Sequence, residues 1–285
     1  MVSTMASGNT IPYVDCSDIF MLYSVVDVAG LNQVLKQILT NAAAAMAGMI
    51  ESNRPPEPSR SKRPTVAMTM FGVTTACVTA VRERLEYKGY NCLVFHATGT
   101  GGRAMEKLVE SGYIDGVLDI TTTEVADEIV GGIMPAGSQR IRTIVAKQIP
   151  YVVSVGAVDM VNFGALKTVP PQFANRQLHG HNEHVTLMRT TTDENSRIGA
   201  WIVERLNESK SPITVVLPVG GVSALDADDE IFRNPSANAA LFKQFENHLN
   251  TTEQRQLVES AYHVNDPEFA DLLVAEFCGL LPVQI

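Results

Sequence analysis

The chain has 285 residues, 45% of them hydrophobic and 19% charged, with a formal net charge of −9. That is the composition of a globular protein with a sizeable core, and it excludes a disordered or fibrous chain. The negative balance speaks against a nonspecific nucleic-acid surface, so an anionic ligand must be met by backbone donors or by a few Arg and Lys side chains.

In chain order, Val2-Ser3-Thr4 reads as the tail of a strand, and Gly30 to Ile50 carries helical spacing (Leu31, Val34, Leu35, Ile38, Leu39) with an alanine-rich continuation. Residues 52–64 hold four prolines and no large apolar side chain, the mark of a linker or exposed loop. Strands and helices then alternate. Strands are expected at Val66–Phe71, Cys92–Phe95, Val117–Ile120, Tyr151–Val155, Val185–Met188, Ile213–Leu217 and Leu257–Ala261. Helices are expected at Thr74–Tyr87, Arg103–Glu110, Thr123–Val130, Ser138–Lys147, Glu194–Leu206, Asn238–Leu249 and Pro267–Phe277, the last with Asp266 as N-cap and proline at the first position. The pattern predicts an α/β fold with a parallel sheet covered on both faces and a ligand site outside the carboxyl ends of its strands.

Cys16, Cys77, Cys92 and Cys278 lie far apart without a CxxC pair, which suits free thiols in a reducing compartment. The start of the chain lacks a secretory signal pattern, and the apolar stretch Ala42–Ile50 is too short to cross a bilayer. A cytoplasmic protein without nucleic-acid or membrane partners is expected.

The expected strand exits are small, hydroxylated or glycine-rich, and several helix N-termini on one edge make an anion site. Thr98-Gly99-Thr100-Gly101-Gly102 follows a strand and precedes a helix, as a phosphate-cradling loop must, although it matches neither GxGxxG nor a Walker loop and also suits a plain tight turn. Gly72–Thr75, Thr121-Thr122-Thr123 and Gly220-Gly221 accompany it. Thr121 with Glu124, and Thr191 with Glu194, fit the capping box, so those threonines serve helix starts, a ligand, or both. His179, His181 and His184 form HxHxxH, open to a zinc reading or to a loop in which His181 and Asn182 hydrogen-bond backbone or substrate. Asp226, Asp228, Asp229 and Glu230 offer either a Mg²⁺ site or a solvated loop. Asp127 and Glu128 read as ordinary helix-start acids, with a catalytic base as the alternative. Arg189, at the end of a strand, is the basic residue best placed for a phosphate or carboxylate.

Several blocks together are familiar: VSTMASGNTIPYV, YSVVDVAGLN, MFGVTTACV, TTTEVADEIVGG, VSVGAVDMVNFG, HNEHVTLMRTT, LPVGGVSALD and HVNDPEF. They resemble the Tm-one-like ATP-binding family, an uncharacterised protein family named after a plant tobamovirus-resistance protein. The resemblance implies two Rossmann-like subdomains, ATP binding and a homodimer, but no established reaction. It also implies that the family's opening strand and GTxDTKG-type turn lie upstream of this sequence. On that basis residues 1–51 are the remnant of a first subdomain with its long helix, 52–64 a linker, and 65–285 a complete second subdomain whose Gly72–Thr75 turn is the counterpart of the upstream one. The function expected is nucleotide binding in a ligand-binding or regulatory module, with ATP and Mg²⁺ as cofactors. The alternative is an enzyme of hydrolase or transferase type, acting on a phosphorylated or carboxylated small molecule through Arg189, His181, Glu124 or Asp159. A third reading is a dimeric scaffold joined through the long helix.

Overall fold

The computed structural model describes residues 1–52 and 63–283. The chain divides into two compact units, Met1–Lys62 and Arg63–Ile285. Of the expected linker, residues 53–62 lie outside the described residues.

In the first unit β1 (Val2–Ser3) pairs in parallel with β2 (Leu22–Tyr23), and between them runs the single turn α1 (Ile11–Val14). The long helix α2 (Gln33–Ser52) begins at Asn32, whose side-chain oxygen accepts the Leu35 N–H at 2.9 Å, a cap on one of the orphan donors of the first turn. Leu35 is its one buried hydrophobic residue, while Ile11, Phe20, Leu31, Met46 and Ile50 are exposed.

The second unit opens with β3 (Thr65–Met70), α3 (Thr75–Tyr87), β4 (Asn91–His96), α4 (Thr100–Glu110), β5 (Gly116–Thr121), α5 (Thr123–Val130), α6 (Arg142–Lys147) and β6 (Tyr151–Gly156). It continues with β7 (Met160–Phe163), β8 (Leu178–Asn182), β9 (Val185–Arg189), α7 (Thr192–Asn207), β10 (Ile213–Pro218), α8 (Pro235–His248), β11 (Arg255–Ser260) and α9 (Pro267–Leu280). Six strands form one parallel sheet in the order β11-β10-β6-β5-β3-β4. Alternate residues of its central strands feed two cores. Ala67, Val117, Val153 and Val215 pack on the side of α4 to α8, and Met68, Leu118, Val152 and Val216 on the side of α3 and α9. Burial on both faces is why these strands read as unbroken apolar runs. The chain leaves β3 for β4 on one side and returns to β5 on the other, which opens a crevice at the carboxyl ends of β3 and β5.

Three expectations are corrected here. The strand at Val185 is not a member of the parallel sheet: β9 is the centre of a separate antiparallel sheet, β7-β9-β8. Arg189 and Thr190–Thr192 therefore do not share the parallel sheet's carboxyl edge as exit loops. His179 and His181 lie in strand β8 rather than in a loop, because its backbone pairs with β9 (His179 opposite Leu187), while His184 sits in the turn between the two strands. Finally, the helix expected from Ser138 starts only at Arg142, after Ile141 takes a positive φ of 78°.

Candidate functional site

The turn at Thr98–Gly102 does bind an anion, but the anion belongs to the protein. The N–H groups of Gly99 and Gly102 donate to Glu124 Oε1 at 2.6 and 3.0 Å, and Arg140 Nε donates to Glu124 Oε2 at 3.0 Å. The positive end of α4 is thus neutralised internally. The glycines answer to packing: Gly99 has φ +83° with Pro135 O 2.7 Å from where a Cβ would stand. At Gly101 and Gly102 a Cβ would collide with His96 O and the Glu124 carboxylate. The expected capping box at Thr121 and Glu124 is absent for the same reason, since Glu124 turns away from its own helix start. Thr191 and Glu194 do form theirs.

Thr121, Thr122 and Thr123 are fully buried. The Thr121 hydroxyl lies 2.8 Å from that of Thr74, joining the exits of β5 and β3 across the crevice, and its N–H donates to Thr69 Oγ1 at 3.0 Å. Thr122 Oγ1 donates to Ser154 O, and Asn162 Nδ2 donates to Thr123 Oγ1. Beneath them Arg140 joins Glu124, Asp119 at 2.7 Å and Glu106 at 3.5 Å, and the Tyr151 hydroxyl donates to Asp119 Oδ2 at 2.8 Å. Burial pushes the Glu106 and Glu124 carboxyls up while Arg140 opposes it, and the surrounding carboxylates hold the guanidinium firmly cationic. Asp127 is likewise no ordinary helix-start acid. It accepts the Asn162 N–H at 2.6 Å and the Met134 N–H at 3.1 Å, tying α5 to β7 and to the segment after α5.

Arg189 is built into the scaffold. Its Nε donates to Phe232 O at 2.7 Å, Nη1 to Thr190 Oγ1 at 2.8 Å and Nη2 to Asn238 Oδ1 at 2.9 Å, while Asp226 lies 3.5 Å away. With every nitrogen engaged and the side chain 3% exposed, no donor is left for a ligand. Asp226 is buried, accepting the Val222 N–H and Asn238 Nδ2, rather than part of a solvated acidic loop; Asp228 is solvated, paired with Arg233 at 3.1 Å. Gly220 and Gly221 are pressed against Tyr262 and His263, so they too serve packing. At the last helix the Asp266 side chain receives the His263 N–H at 2.7 Å instead of capping α9.

Asp159 is fully buried; Ser223 Oγ donates to its Oδ2 at 2.7 Å, and its Oδ1 has no partner among the described residues. Burial pushes this carboxyl up to about 7, with Arg189 opposing. The folded value lies above the ~3.9 of an unfolded chain, so folding favours the protonated form between the two. The contribution to stability is complete below about pH 4 and is lost as pH rises through about 7. Between about pH 5 and 7.5 the fall in urea stability is expected to be shallower in Asp159→Asn than in the unsubstituted chain; parallel slopes would contradict a proton held there.

An open cleft of about 210 Å³ remains at the carboxyl edge. The β3 exit (Phe71, Gly72, Val73) and the β4 exit (His96, Thr98) form two walls. Met134 and the β8–β9 hairpin, with His181, Asn182, Val185 and Leu187, form the others. Sequence and structure thus bring together Thr98 and His181, while Glu124, Asp159, Arg189, Thr121–Thr123 and Gly220–Gly221 lie elsewhere. His96 was not anticipated; the available signal was its place as the last strand residue before the Gly/Thr-rich turn. Its ring packs on Phe71 with centroids 5.4 Å apart, and burial holds its imidazole below the ordinary value. The N–H groups of Gly72 and Val73, and the ring nitrogens of His96 and His181, have no hydrogen-bond partner among the described residues. No carboxylate lines this cleft, and among the described residues no group of three or more His, Cys, Asp or Glu side chains is placed to hold a metal ion. The zinc reading of HxHxxH and the acidic Mg²⁺ site therefore lack a ligand set.

Two family models match the chain: the N-terminal domain of uncharacterised protein family UPF0261 over residues 1–55, and its C-terminal domain over residues 63–281. A UPF0261 protein of Rhizobium meliloti (strain 1021) is 53% identical over 277 residues, covering 97% of this chain and 69% of its own length. The ToMV resistance protein Tm-1(GCR237) of Solanum lycopersicum is 51% identical over 286 residues; the match takes in 99% of this chain but only 38% of the tomato protein. A crystal structure of Paleococcus ferrophilus monoacylglycerol lipase is similar over 75% of this chain and 96% of its own, at 10% identity and a TM-score of 0.35, too low to carry an argument. Among the described residues no helix is long and apolar enough to cross a membrane.

Proposed function

The chain belongs to the UPF0261 family, and from that premise we propose that its second unit binds the anionic end of a phosphate-bearing small molecule in the cleft between the β3 and β4 exits. The family description names no activity, so the reading rests on the site. One observation carries it: the unpartnered N–H groups of Gly72 and Val73 open a helix start onto a cleft at the carboxyl edge of a parallel sheet. The Thr98–Gly102 turn is a wall of that cleft through Thr98, not its phosphate cradle.

ATP is the ligand implied by the family resemblance. A volume of about 210 Å³ falls short of the ~300–1,000 Å³ of ordinary ligand pockets, so this cleft takes the phosphates of a nucleotide and not its adenosine. Magnesium, lacking a carboxylate here, would be held by the phosphates themselves. A homodimer, if formed, has an apolar surface to bury on the first unit, where Ile11, Phe20 and Met46 are exposed.

A Cβ added at Gly72 meets no atom within 4 Å, so a large side chain there fills the cleft without disturbing the fold. Calorimetry with ATP, with and without Mg²⁺, is expected to give binding that weakens at least tenfold in Gly72→Leu. The reading is lost if neither inorganic phosphate nor ATP binds, or if Gly72→Leu binds them as well as the original chain.

A further inference from the structure

The cleft has a second property that bears on what enters it. Its rim carries two imidazoles from different elements, His96 at the end of β4 and His181 on β8, together with Thr98 and Asn182. Its depth is apolar: Phe71, Val73 and Leu187 are buried, and Met134 and Val185 pack against them. A bare phosphate would leave that apolar surface uncovered. The phosphates of a nucleotide, with the adenosine left outside, would leave it uncovered as well. The protein supplies no carboxylate to repel an anion there, since Glu124 and Asp127 point to Gly99, Gly102, Arg140, Asn162 and Met134.

Resting on the phosphate-binding reading above, we propose that the ligand is a small phosphomonoester with a compact aliphatic body. Its phosphoryl group is gripped by His96, His181 and the N–H groups of Gly72 and Val73, and its body packs on Phe71, Met134 and Leu187. Two histidines from different elements lining one cleft suit a phosphoryl group because each donates one hydrogen bond when neutral and adds charge when protonated. A bound dianion favours the imidazolium form, so affinity rises as pH falls. Among the charged groups of the surrounding elements, Arg103 donates to Pro135 O, Glu106 faces Arg140, and Arg189 is buried among Phe232, Thr190 and Asn238; neither these nor Lys107, nor His179, Glu183 and His184 of the β8–β9 hairpin, line the cleft.

The experiment compares methyl phosphate with n-butyl phosphate by calorimetry on the whole chain, in the original sequence, His96→Gln, His181→Gln and Gly72→Leu. Each buried methylene is worth about fourfold, so n-butyl phosphate is expected to bind at least about tenfold tighter than methyl phosphate. Each histidine variant is expected to weaken both ligands at least about fivefold. Sulfate, which does not titrate in this range, is expected to bind more tightly at pH 6 than at pH 8, with the difference abolished in the double histidine variant. Equal affinity for the two esters overturns the proposal, as does binding indifferent to both histidines and to pH. If those results occur while phosphate still binds and Gly72→Leu still blocks it, the proposal falls and the phosphate reading stands. If neither ester, phosphate nor ATP binds, both fall.

Discussion

Replacing Arg140 with methionine is expected to lower the unfolding free energy of the second unit by about 3–5 kcal/mol, the cost of leaving buried charge without its partner. Arg140 is 1% exposed, and its guanidinium is the only cation in ion-pair range of Asp119 and Glu124, both fully buried, among the described residues. Methionine nearly conserves the volume, so packing loss contributes little and the effect isolates the charge. Glu124 would keep its two backbone donors, but Asp119 would retain only the hydroxyls of Tyr151 and Thr69. Trp201 is the single tryptophan, sits in α7 and stacks on Arg205 at 3.2 Å, so its fluorescence follows this unit through a urea titration. A loss below about 1 kcal/mol would mean that the cluster is neutral in the folded protein. Adding Glu124→Gln to the Arg140 variant should recover part of the loss, because one stranded charge is then gone while the amide oxygen still accepts from Gly99 and Gly102.

That cluster marks where the sequence stops being readable. The four central parallel strands, β3, β5, β6 and β10, were legible because each is buried on both faces, and an apolar run of that length between glycine-rich turns has few other homes; the edge strands β4 and β11 are only partly buried. The antiparallel sheet was only partly legible. β9 has an apolar core in Leu187 and Met188, but β7 is only four residues long and directly follows the β6 exit loop, and β8 is Leu-His-Gly-His-Asn, an edge strand with no alternation. Its identity comes from the partner it pairs with, which periodicity along one segment does not reveal. The site shows the same division. Thr98 and His181 could be singled out from their own neighbours. Glu124 could be singled out as well, but not its place at the β4–α4 turn, because the donors it accepts from are 22 and 25 residues away in Gly102 and Gly99, while a local capping pattern with Thr121 offered a competing explanation. Arg140 was read as part of the helix expected from Ser138 and carried no signal of its place in the cluster.

The glycines give the sharpest separation between a turn built for packing and one open to a ligand. Gly101→Ala is expected to cost about 3 kcal/mol or more, at the upper end of overpacking effects, because the added carbon would fall within the His96 carbonyl, a backbone group that cannot rotate away. Relief would require α4 to lift from β4 and would pull Gly99 and Gly102 off Glu124. Gly102→Ala acts on the same joint from the other side, displacing the carboxylate that Arg140 holds. Gly72→Ala, by contrast, places its methyl in open space and narrows the unfolded ensemble, so it should be neutral or stabilising by up to about 1 kcal/mol. Both can be followed through the same Trp201 transition. Were Gly101→Ala tolerated as well as Gly72→Ala, the β4–α4 turn would have room for an external anion, and the internal carboxylate would no longer explain its glycines. Should the contrast hold, glycine marks two different things in this fold. At Gly101 and Gly102 it lets a helix and a buried carboxylate come close, and at Gly72 it leaves a helix start bare toward the cleft.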